Sequence, residues 1–563
     1  MLEITDIPIS PEQGATVEGC LEAGKLEAEK LLGCQPFDIA SIALSHRSVD
    51  TRRKRRIQIL INVRVELRAG LDERGIVANL PVQTARRISI LQEEETSFPP
   101  VVGVDEKQVV RPVIVGSGLA GTFAALALAE AGLEPILIER GKDPGRRAND
   151  VRHLAETGEP DPDSNFRFGL GGRGVFSGED LGPNMRDPDH RLVLKTLIEA
   201  GAPESILWDE EPRIESDVFP DVIANLMVRI EEHGGEIRPS TRLIGIDRAL
   251  DGSIRNITMM ADGREESLLA NRLVLACGPA AFDVYEILDA IDVRMDRKTF
   301  AMGVRVEHLQ EDVDRMRYGT YAKSGLLGPA SYSVTARCGN GRSLSTSAMC
   351  PGGNVVAAAT DNGSVSVGGA CEQAHEGRNA CAALMVNINP RDLEAESPLA
   401  GVELQRTCEQ KAFELGGGGQ AAPVQLMGDF LAGKPSAGAG RVEATYPCGT
   451  TWTSLDDALP SFVTETLRQG IPALDRKLHG FNDGEAVLTG VETRSSSPVT
   501  IVRGDDFQAL GTPGLYPCGE GAGYANSLVG AAADGIRCAR AIIDSLPAYL
   551  KRRDVGELPG SPS

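Results

Sequence analysis

The sequence has no apolar run of the length, about 18 residues or more, that a membrane-crossing helix needs. Its 11 cysteines are an odd number, scattered without a CxxC pair or a Cys/His cluster. That argues against a disulfide framework and against a zinc site, so no metal is expected, and a reducing cytoplasm fits better. Positive charge is in deficit: 58 lysines and arginines face 80 acids, for a net charge of −22. Such a surface repels phosphate, which argues against a broad nucleic-acid or anionic-membrane face. The opening MLEITDIPIS lacks a basic region followed by an apolar stretch, so no secretory signal is expected. No internal repeat is visible.

What is there begins with residues 111–141, RPVIVGSGLAGTFAALALAEAGLEPILIERG. An apolar run over 113–115 ends in Gly116-Ser117-Gly118-Leu119-Ala120-Gly121. An alanine- and leucine-rich helix pattern follows, and a second apolar run, 135–138, closes on Glu139. Strand, glycine turn, helix, strand and an acid about twenty residues past the glycines make a dinucleotide-binding unit. Gly116 permits the tight exit from the strand, and Gly118 lets backbone approach a pyrophosphate with no Cβ in the way. Gly121 allows close helix–strand packing, and the helix N-terminus offers N–H groups to phosphate. Glu139 can accept from both ribose hydroxyls, an arrangement that a 2′-phosphate would forbid. The plain alternative is a glycine-rich turn, and it would not call for the second strand and the acid as well.

At 563 residues the chain is too long for one core, and three or four domains are expected. Residues 1–105 read as a small α+β domain. Residues 17–32 (VEGCLEAGKLEAEKLL) have helical periodicity, and 57–67 (IQILINVRVEL) alternate like a strand with one buried face. The basic cluster at 52–56 (RRKRR) suits either an RNA or anionic-ligand patch or a solvated turn, and the surrounding acidity favours the turn. The stretch 92–107, with its acids and Pro99-Pro100, reads as a linker.

Residues 106–284 form the first part of the nucleotide-binding domain. Within them, 168–184 (FGLGGRGVFSGEDLGPN) are too glycine-dense for a helix or central strand, and form a lid or a loop pressed on a flat ligand. Helices are expected over 191–200 and 219–234, a short strand over 236–238, a β-meander over 246–267 and a buried strand over 272–276. Residues 285–495 read as an inserted substrate domain of mixed strands and loops, including 355–360 and 365–370. The four-glycine run at 416–419 is expected in a loop before a helix. Residues 496–550 return to the nucleotide fold, and 551–563 read as a loose tail.

These pieces resemble the FAD-dependent oxidoreductases with a glutathione-reductase-type FAD domain. The chain is more similar still, as a divergent member, to the uncharacterised FAD-dependent dehydrogenase family. The matching stretches are VIVGSGLAG (113–121), GGRGVFS (171–177), VLACG (274–278), VRVEH (304–308), GRSLSTSAMCPGGNVVAA (341–358), GDFLAGKPS (428–436), ETRSSSPV (492–499) and GLYPCGEGAGYANSLVGAAADGIR (514–537). LSHRSVDTRRK (44–54) resembles the extra α+β domain of that group. The resemblance implies an α/β fold: a Rossmann-type FAD-binding domain, an inserted α+β substrate domain and a small N-terminal α+β domain. FAD is the implied cofactor. Its expected contacts, beyond Gly116, Ser117, Gly118, Ala120, Gly121, Glu139 and Arg140, are Gly172, Arg173, Gly174, Phe176, Ser177 and Gly278. The C-terminal motif adds Gly519 and Glu520 at the ribitol and pyrophosphate, and Asn526, Ser527 and Leu528 beside the isoalloxazine. The chain departs from the group at three places. Gly178-Glu179-Asp180 stands for Asp-Gly-Lys, residues 212–216 (PRIES) stand for Pro-His-Ile-Gly-Thr, and Gly278-Pro279 stands for Gly-His.

For the chemistry, a ring that exchanges hydride at N5 needs position, charge and exclusion of water from the protein. The helix from Asn526 is expected to aim its dipole at the ring's carbonyl edge. Arg494, before three serines, and Arg342 are candidates for holding a substrate anion, each with a structural salt bridge as the alternative. Cys350 is a candidate pocket thiol, with inert packing as the alternative. His308 and His375 are either acid/base groups or hydrogen-bonded structural histidines. Without a CxxC near the ring, disulfide-reductase chemistry is not expected. One dinucleotide fingerprint is present, so electrons would come from transiently docked NAD(P)H, from another protein or from the substrate. The expected function is an FAD-dependent dehydrogenase or reductase acting on a small organic molecule. The alternatives are a flavin monooxygenase or oxidase, and an RNA-binding FAD-dependent modification enzyme.

Overall fold

Val113, Ile114 and Val115 offer water nothing to bind, and the strand they form, Val113–Val115, is buried on both faces. It is the middle of a five-stranded sheet in the order Leu515–Pro517, Leu273–Leu275, Val113–Val115, Ile136–Ile138, Glu236–Arg238, with every neighbouring pair parallel. Alternation sorts its side chains into two layers. Ile114, Leu137, Val274 and Tyr516 pack with the helices Leu119–Glu130, Pro188–Glu199, Phe219–Glu232 and Leu528–Asp544. Val113, Val115, Ile136, Ile138, Leu273 and Leu515 pack against an antiparallel meander (Thr241–Arg248, Ile254–Ala261, Arg264–Leu269) and the helix Phe282–Ala290. This is a Rossmann-like domain with four helices on one face and the meander and the helix Phe282–Ala290 on the other. The described residues of this computed structural model are 1–52, 56–91, 96–101, 110–177 and 181–546. Arg53, Lys54 and Arg55 of the basic cluster, most of the expected linker, Gly178-Glu179-Asp180 and the tail from Lys551 lie outside them.

The helix Leu119–Glu130 has no polar stripe: every residue from Leu119 to Ala129 is buried. Its main cover is the C-terminal helix Leu528–Asp544, which crosses it at Gly535. A Cβ at Gly535 would lie 2.1 Å from the Ala120 carbonyl oxygen, so only glycine admits that approach. Two segments almost four hundred residues apart in sequence therefore complete one core.

Between them the chain builds a seven-stranded sheet in the order Thr335–Arg337, Ser343–Cys350, Asn379–Ile388, Phe300–Leu309, Val487–Glu492, Ala422–Leu426, Thr450–Trp452. All its pairs are antiparallel except the last. A short pair, Met295–Arg297 with Val499–Ile501, joins this unit to the nucleotide fold. Residues 416–419 end a helix here, Ala400–Leu415, and lead into the strand Ala422–Leu426, rather than preceding a helix as the sequence suggested. The physical reason is at the helix end, where positive φ at Gly417 (100°) and Gly418 (80°) turns the chain away.

The N-terminal unit is a four-stranded antiparallel sheet in the order Ile39–Asp50, Gln58–Leu67, Leu2–Ile9, Ile88–Ile90, with the helix Val17–Leu32 packed against it. It meets the nucleotide fold by backbone pairing. Arg47 N–H donates to the Trp208 carbonyl at 2.7 Å, and Glu210 N–H to the Arg47 carbonyl at 3.2 Å. Trp208 packs against the core of the N-terminal unit.

The glycine-dense passage after the first βαβ unit is held by Arg147, on the helix Pro144–Thr157. This guanidinium is fully buried and donates to four backbone carbonyls: Asn165 (2.7 Å), Phe166 (2.8 Å), Leu170 (3.3 Å) and Gly172 (2.7 Å). Burial pushes its pKa down to about 9, with Glu139 opposing. An unsatisfied buried carbonyl costs about 1–3 kcal/mol. Arg147→Met is therefore expected to lose roughly 3 kcal/mol or more in denaturant unfolding. Unchanged stability would show that other groups hold this passage.

Candidate functional site

Gly116 leaves its strand with φ +97°, and a Cβ there would lie 2.5 Å from the Ala276 carbonyl oxygen. Glycine is thus required by both conformation and space. Gly121 is equally constrained, since a Cβ would lie 1.8 Å from the Gly116 carbonyl oxygen. Gly118, which caps the helix Leu119–Glu130 at its N-terminus, is the contrast: a Cβ there would meet nothing within 4 Å. The space in front of it belongs to a cleft with about 1010 Å³ of empty volume, open solvent at its mouth included. A cleft of that size suits a large cofactor or ligand.

Glu139 stands at the end of the second strand with its side chain buried. One carboxylate oxygen accepts from the Ser117 N–H (2.9 Å) and hydroxyl (2.8 Å), and the other from the Gly141 N–H (2.9 Å). The acid thus fixes the glycine turn while still lining the cleft. Arg140 beside it pairs with Asp283 and stacks over Phe168, its guanidinium carbon 4.4 Å from the ring centroid. The loop clamped by Arg147 supplies Arg167, Phe168, Gly171, Gly172, Arg173 and Gly174 to the same wall. Cys277, Gly278 and Pro279 come from the strand end after Leu273–Leu275, and burial pushes the Cys277 thiol up to about 12, leaving it an uncharged wall. From the far end of the chain come Cys518, Glu520, Leu528 and Ala531.

Of the residues named from sequence, Gly116, Ser117, Gly118, Ala120, Glu139, Arg140, Gly172, Arg173, Gly174, Gly278, Glu520 and Leu528 line the cleft. Gly121 and Gly519 stand behind it, and the Gly519 N–H donates to Asp534 at 2.8 Å. Phe176 and Ser177 end the short helix Gly174–Ser177, and their side chains lie outside the described residues. Ser527 caps the helix Leu528–Asp544, accepting from the Gly530 N–H, and Asn526 is exposed and does not line the cleft. Cys518, Asp534 and Cys538 are close enough to suggest metal ligands. Asp534 already has a cation, because Arg503 pairs with it through both terminal nitrogens at 3.0 and 2.7 Å.

The three residues named for catalysis are not together. Arg494 is buried away from the cleft lining, held by Glu409 at 2.7 and 2.5 Å and by Thr360 at 2.7 Å, over the Phe282 ring. Arg342 grips Asp392 with both terminal nitrogens at 2.9 and 2.6 Å and stacks on Phe462. Both match the salt-bridge alternative, and neither guanidinium reaches the cleft. Cys350 does face a cavity. A smaller polar annex of about 340 Å³ adjoins the cleft and is lined by Cys350, Arg305, Glu492, Arg167 and Arg173 among others. Thiol donors on Cys371 and Cys381 hold Cys350 below the ordinary thiol range, with Arg213 and Arg305 assisting against burial. His308 is a buried structural histidine, its Nε2 2.8 Å from the Phe481 carbonyl.

Sequence reasoning missed Arg167, Arg305 and Glu492. The last two lie in stretches already singled out for resemblance, 304–308 and 492–499. In the second of these, attention fell on Arg494, two places beyond the strand end at Glu492. The divergent segment 212–216 was legible only as a departure. In the structure it flanks the annex wall: the Ser216 hydroxyl donates to the Cys371 carbonyl at 2.9 Å, and Glu215 lies 3.6 Å from His375.

Residues 299–495 match the family described as FAD-dependent protein, C-terminal domain-like, and residues 114–187 match the NAD(P)-binding Rossmann-like domain. The chain is 37% identical over 516 residues to an uncharacterised protein of Clostridium beijerinckii, covering 92% of this chain and 94% of that one. The chain belongs to a family of FAD-dependent oxidoreductases. Three solved structures are similar to this flavoenzyme at lower levels. The flavin-dependent brominase Bmp2, as a triple mutant, matches with a TM-score of 0.36 and 13% identity, covering 78% of this chain and 81% of that one. A 3-ketosteroid dehydrogenase of Rhodococcus jostii matches at 0.33 and 11%, covering 78% and 98%. The glycerol-3-phosphate dehydrogenase of Bacillus halodurans, solved with FAD, matches at 0.33 and 9%, covering 78% and 64%. Likenesses at such TM-scores say nothing of substrate or reaction. Among the described residues no helix is long and apolar enough to cross a membrane.

The cleft fits FAD by its own geometry: Gly118 presents no side chain where a pyrophosphate would come close to a helix N-terminus, and Glu139 stands one strand away. Two substitutions separate this role from packing. Gly118→Ala meets no atom of the protein, so it is expected to leave the melting temperature of the FAD-free protein unchanged while weakening FAD binding at least tenfold. Gly121→Ala is expected to destabilise the fold itself by about 1–3 kcal/mol. Equal FAD affinity in Gly118→Ala would remove this glycine from the cofactor cradle.

The segment that flanks the annex carries a pH signature. Glu215 beside His375 raises its imidazole above the ordinary value of 6.5, with burial opposing. A raised folded-state value means the protonated form stabilises the fold. That contribution is complete below about pH 6.5 and is lost as pH rises through the raised value. His375→Gln is expected to cost on the order of 1 kcal/mol at pH 5.5 and nothing at pH 9 in thermal or denaturant melts. The same loss at both values would refute the assignment.

Proposed function

We propose that this protein is an FAD-dependent dehydrogenase or reductase that moves a hydride between flavin N5 and a small organic substrate. In this reading its nucleotide fold is of the glutathione-reductase type. The observation that carries the reading is the union of the Gly118 cradle, Glu139 and the C-terminal Glu520 around one cleft that continues into a polar annex.

When bound, FAD would supply a ring that takes up or releases a hydride. The chain's own groups do the positioning. Glu139 can accept ribose hydroxyls on lone pairs not used by Ser117 and Gly141, and the first N–H groups of the helix Leu119–Glu130 can receive phosphate oxygens. Arg173, 3.9 Å from Glu520, can balance charge where the two ends of the chain meet. Leu528, Ala531 and the protonated Cys277 make a dry wall that excludes water from a hydride donor. Substrate would enter from the side of the seven-stranded sheet, where Arg305, Glu492 and Cys350 line the annex.

The chain carries one dinucleotide fingerprint, so NAD(P)H, where it serves as electron donor, docks without a domain of its own. All eleven cysteines are thiols, which suits a reducing compartment.

Purified protein is expected to be yellow, to release FAD on denaturation and to bleach anaerobically with a hydride donor. A colourless protein that takes up no FAD on incubation would overturn the proposal.

A further inference from the structure

Three arginines around the annex and the cleft have a carboxylate beside them. Arg305 pairs with Glu492 at 2.5 Å, Arg494 with Glu409 at 2.5 Å, and Arg173 lies 3.9 Å from Glu520. Arg167 is 8% exposed and lines both the cleft and the annex. Among the described residues it donates only to neutral oxygens: the Ala358 carbonyl at 3.0 Å, the Arg494 carbonyl at 3.5 Å and the Ser366 hydroxyl at 3.1 Å. A guanidinium has five N–H groups, so one on each terminal nitrogen is left unused. Burial, with Arg494 and Arg173 assisting and Glu409 and Glu492 opposing, pushes this group down to about 9. In a chain of net charge −22, a buried arginine that faces two cavities and donates to no carboxylate among the described residues has N–H groups to offer a ligand.

We infer that Arg167 binds the carboxylate of a small monoanionic substrate, holding its acid group at the junction of the cofactor cleft and the annex. The inference rests on the reading of the cleft as an FAD site. Charge selects the monoanion: one positive group donates to no carboxylate among the described residues, while the Glu492 carboxylate on the annex wall repels a second negative charge. The fork of a guanidinium matches the two oxygens of a carboxylate. The annex, whose empty space of about 340 Å³ includes open solvent, would take such a head group at its open side, and the rest of the molecule would extend toward the cleft. Arg305, already engaged with Glu492 and with the Ala348 carbonyl at 2.9 Å, positions that acid rather than binding the anion itself.

The test uses the full chain loaded with FAD. Acetate, benzoate, acetamide, benzamide and inorganic phosphate are each titrated in while the flavin absorption bands are followed. Saturable band shifts are expected with at least one carboxylate and none with the matching amide, and phosphate is expected to bind at least tenfold more weakly. Arg167→Lys, which keeps the charge and loses the fork, is expected to weaken carboxylate binding about tenfold, and Arg167→Gln about a hundredfold, each with full FAD content. Silence of both carboxylates, equal binding of acid and amide, tighter binding of phosphate, or unchanged affinity in a folded variant overturns the inference. Should Arg167→Gln fail to fold, Arg167→Lys decides. A wild-type protein that takes up no FAD sinks the underlying cofactor reading instead, and does so before any carboxylate is added.

Discussion

One guanidinium, that of Arg147, holds a passage of chain that has no regular structure of its own. Residues 165–172 are too rich in glycine to be shaped by helix or strand hydrogen bonds, and water cannot reach their inward carbonyls. A fixed fork of donors in the middle of the loop replaces the ladder that a strand would have provided. Everything on the open side of the cleft follows from that anchor. Phe168 stacks on Arg140, Gly171 N–H meets the Ser117 carbonyl at 3.2 Å, and Arg167 is presented to two cavities at once. The charge that orders the loop is itself kept from water, with Glu139, the acid of the nucleotide motif, acting on it through space.

The interior of the middle domain is organised by the same economy of charge. Arg305–Glu492 and Arg494–Glu409 are buried pairs, and such pairs contribute specificity of arrangement more surely than net stability. They fix the strand Val487–Glu492 and the chain just beyond it, so that one acid reaches the annex and one arginine does not. Cys350, Cys371 and Cys381 share a patch in which one sulfur receives what the other two donate. Since Cys350 and Cys381 are cross-strand partners, the sheet register alone brings two of the three together.

Much of the nucleotide fold was legible in the sequence because its signals are local. A glycine that must turn, a glycine that must let a helix close and an acid one strand later lie within thirty residues, and each has a reason that needs no knowledge of the rest of the chain. The helix over 17–32 and the meander with its Asp-Gly turns were legible for the same reason. Arg147 and Arg167 were not. A buried arginine that satisfies carbonyls, or one that donates to no acid among the described residues, has no period and no motif, and its meaning depends on partners as far away as Ser366 and Arg494. Arg494 failed in the opposite direction: its sequence surroundings suggest an anion site, but Glu409, on a helix 85 residues earlier, had already taken the charge. The four-glycine run misled because glycine marks an end as readily as a beginning.

The crossing at Gly535 also bears on how the protein is made. The helix Leu119–Glu130 is apolar on every side, yet its principal cover is the helix Leu528–Asp544, almost four hundred residues further on. At about 5–20 residues per second, a ribosome needs roughly 20–80 s to travel from one to the other. For that interval the first βαβ unit is out of the exit tunnel with its greasiest face uncovered. A nascent chain of this design depends on shelter during synthesis until that later helix has emerged.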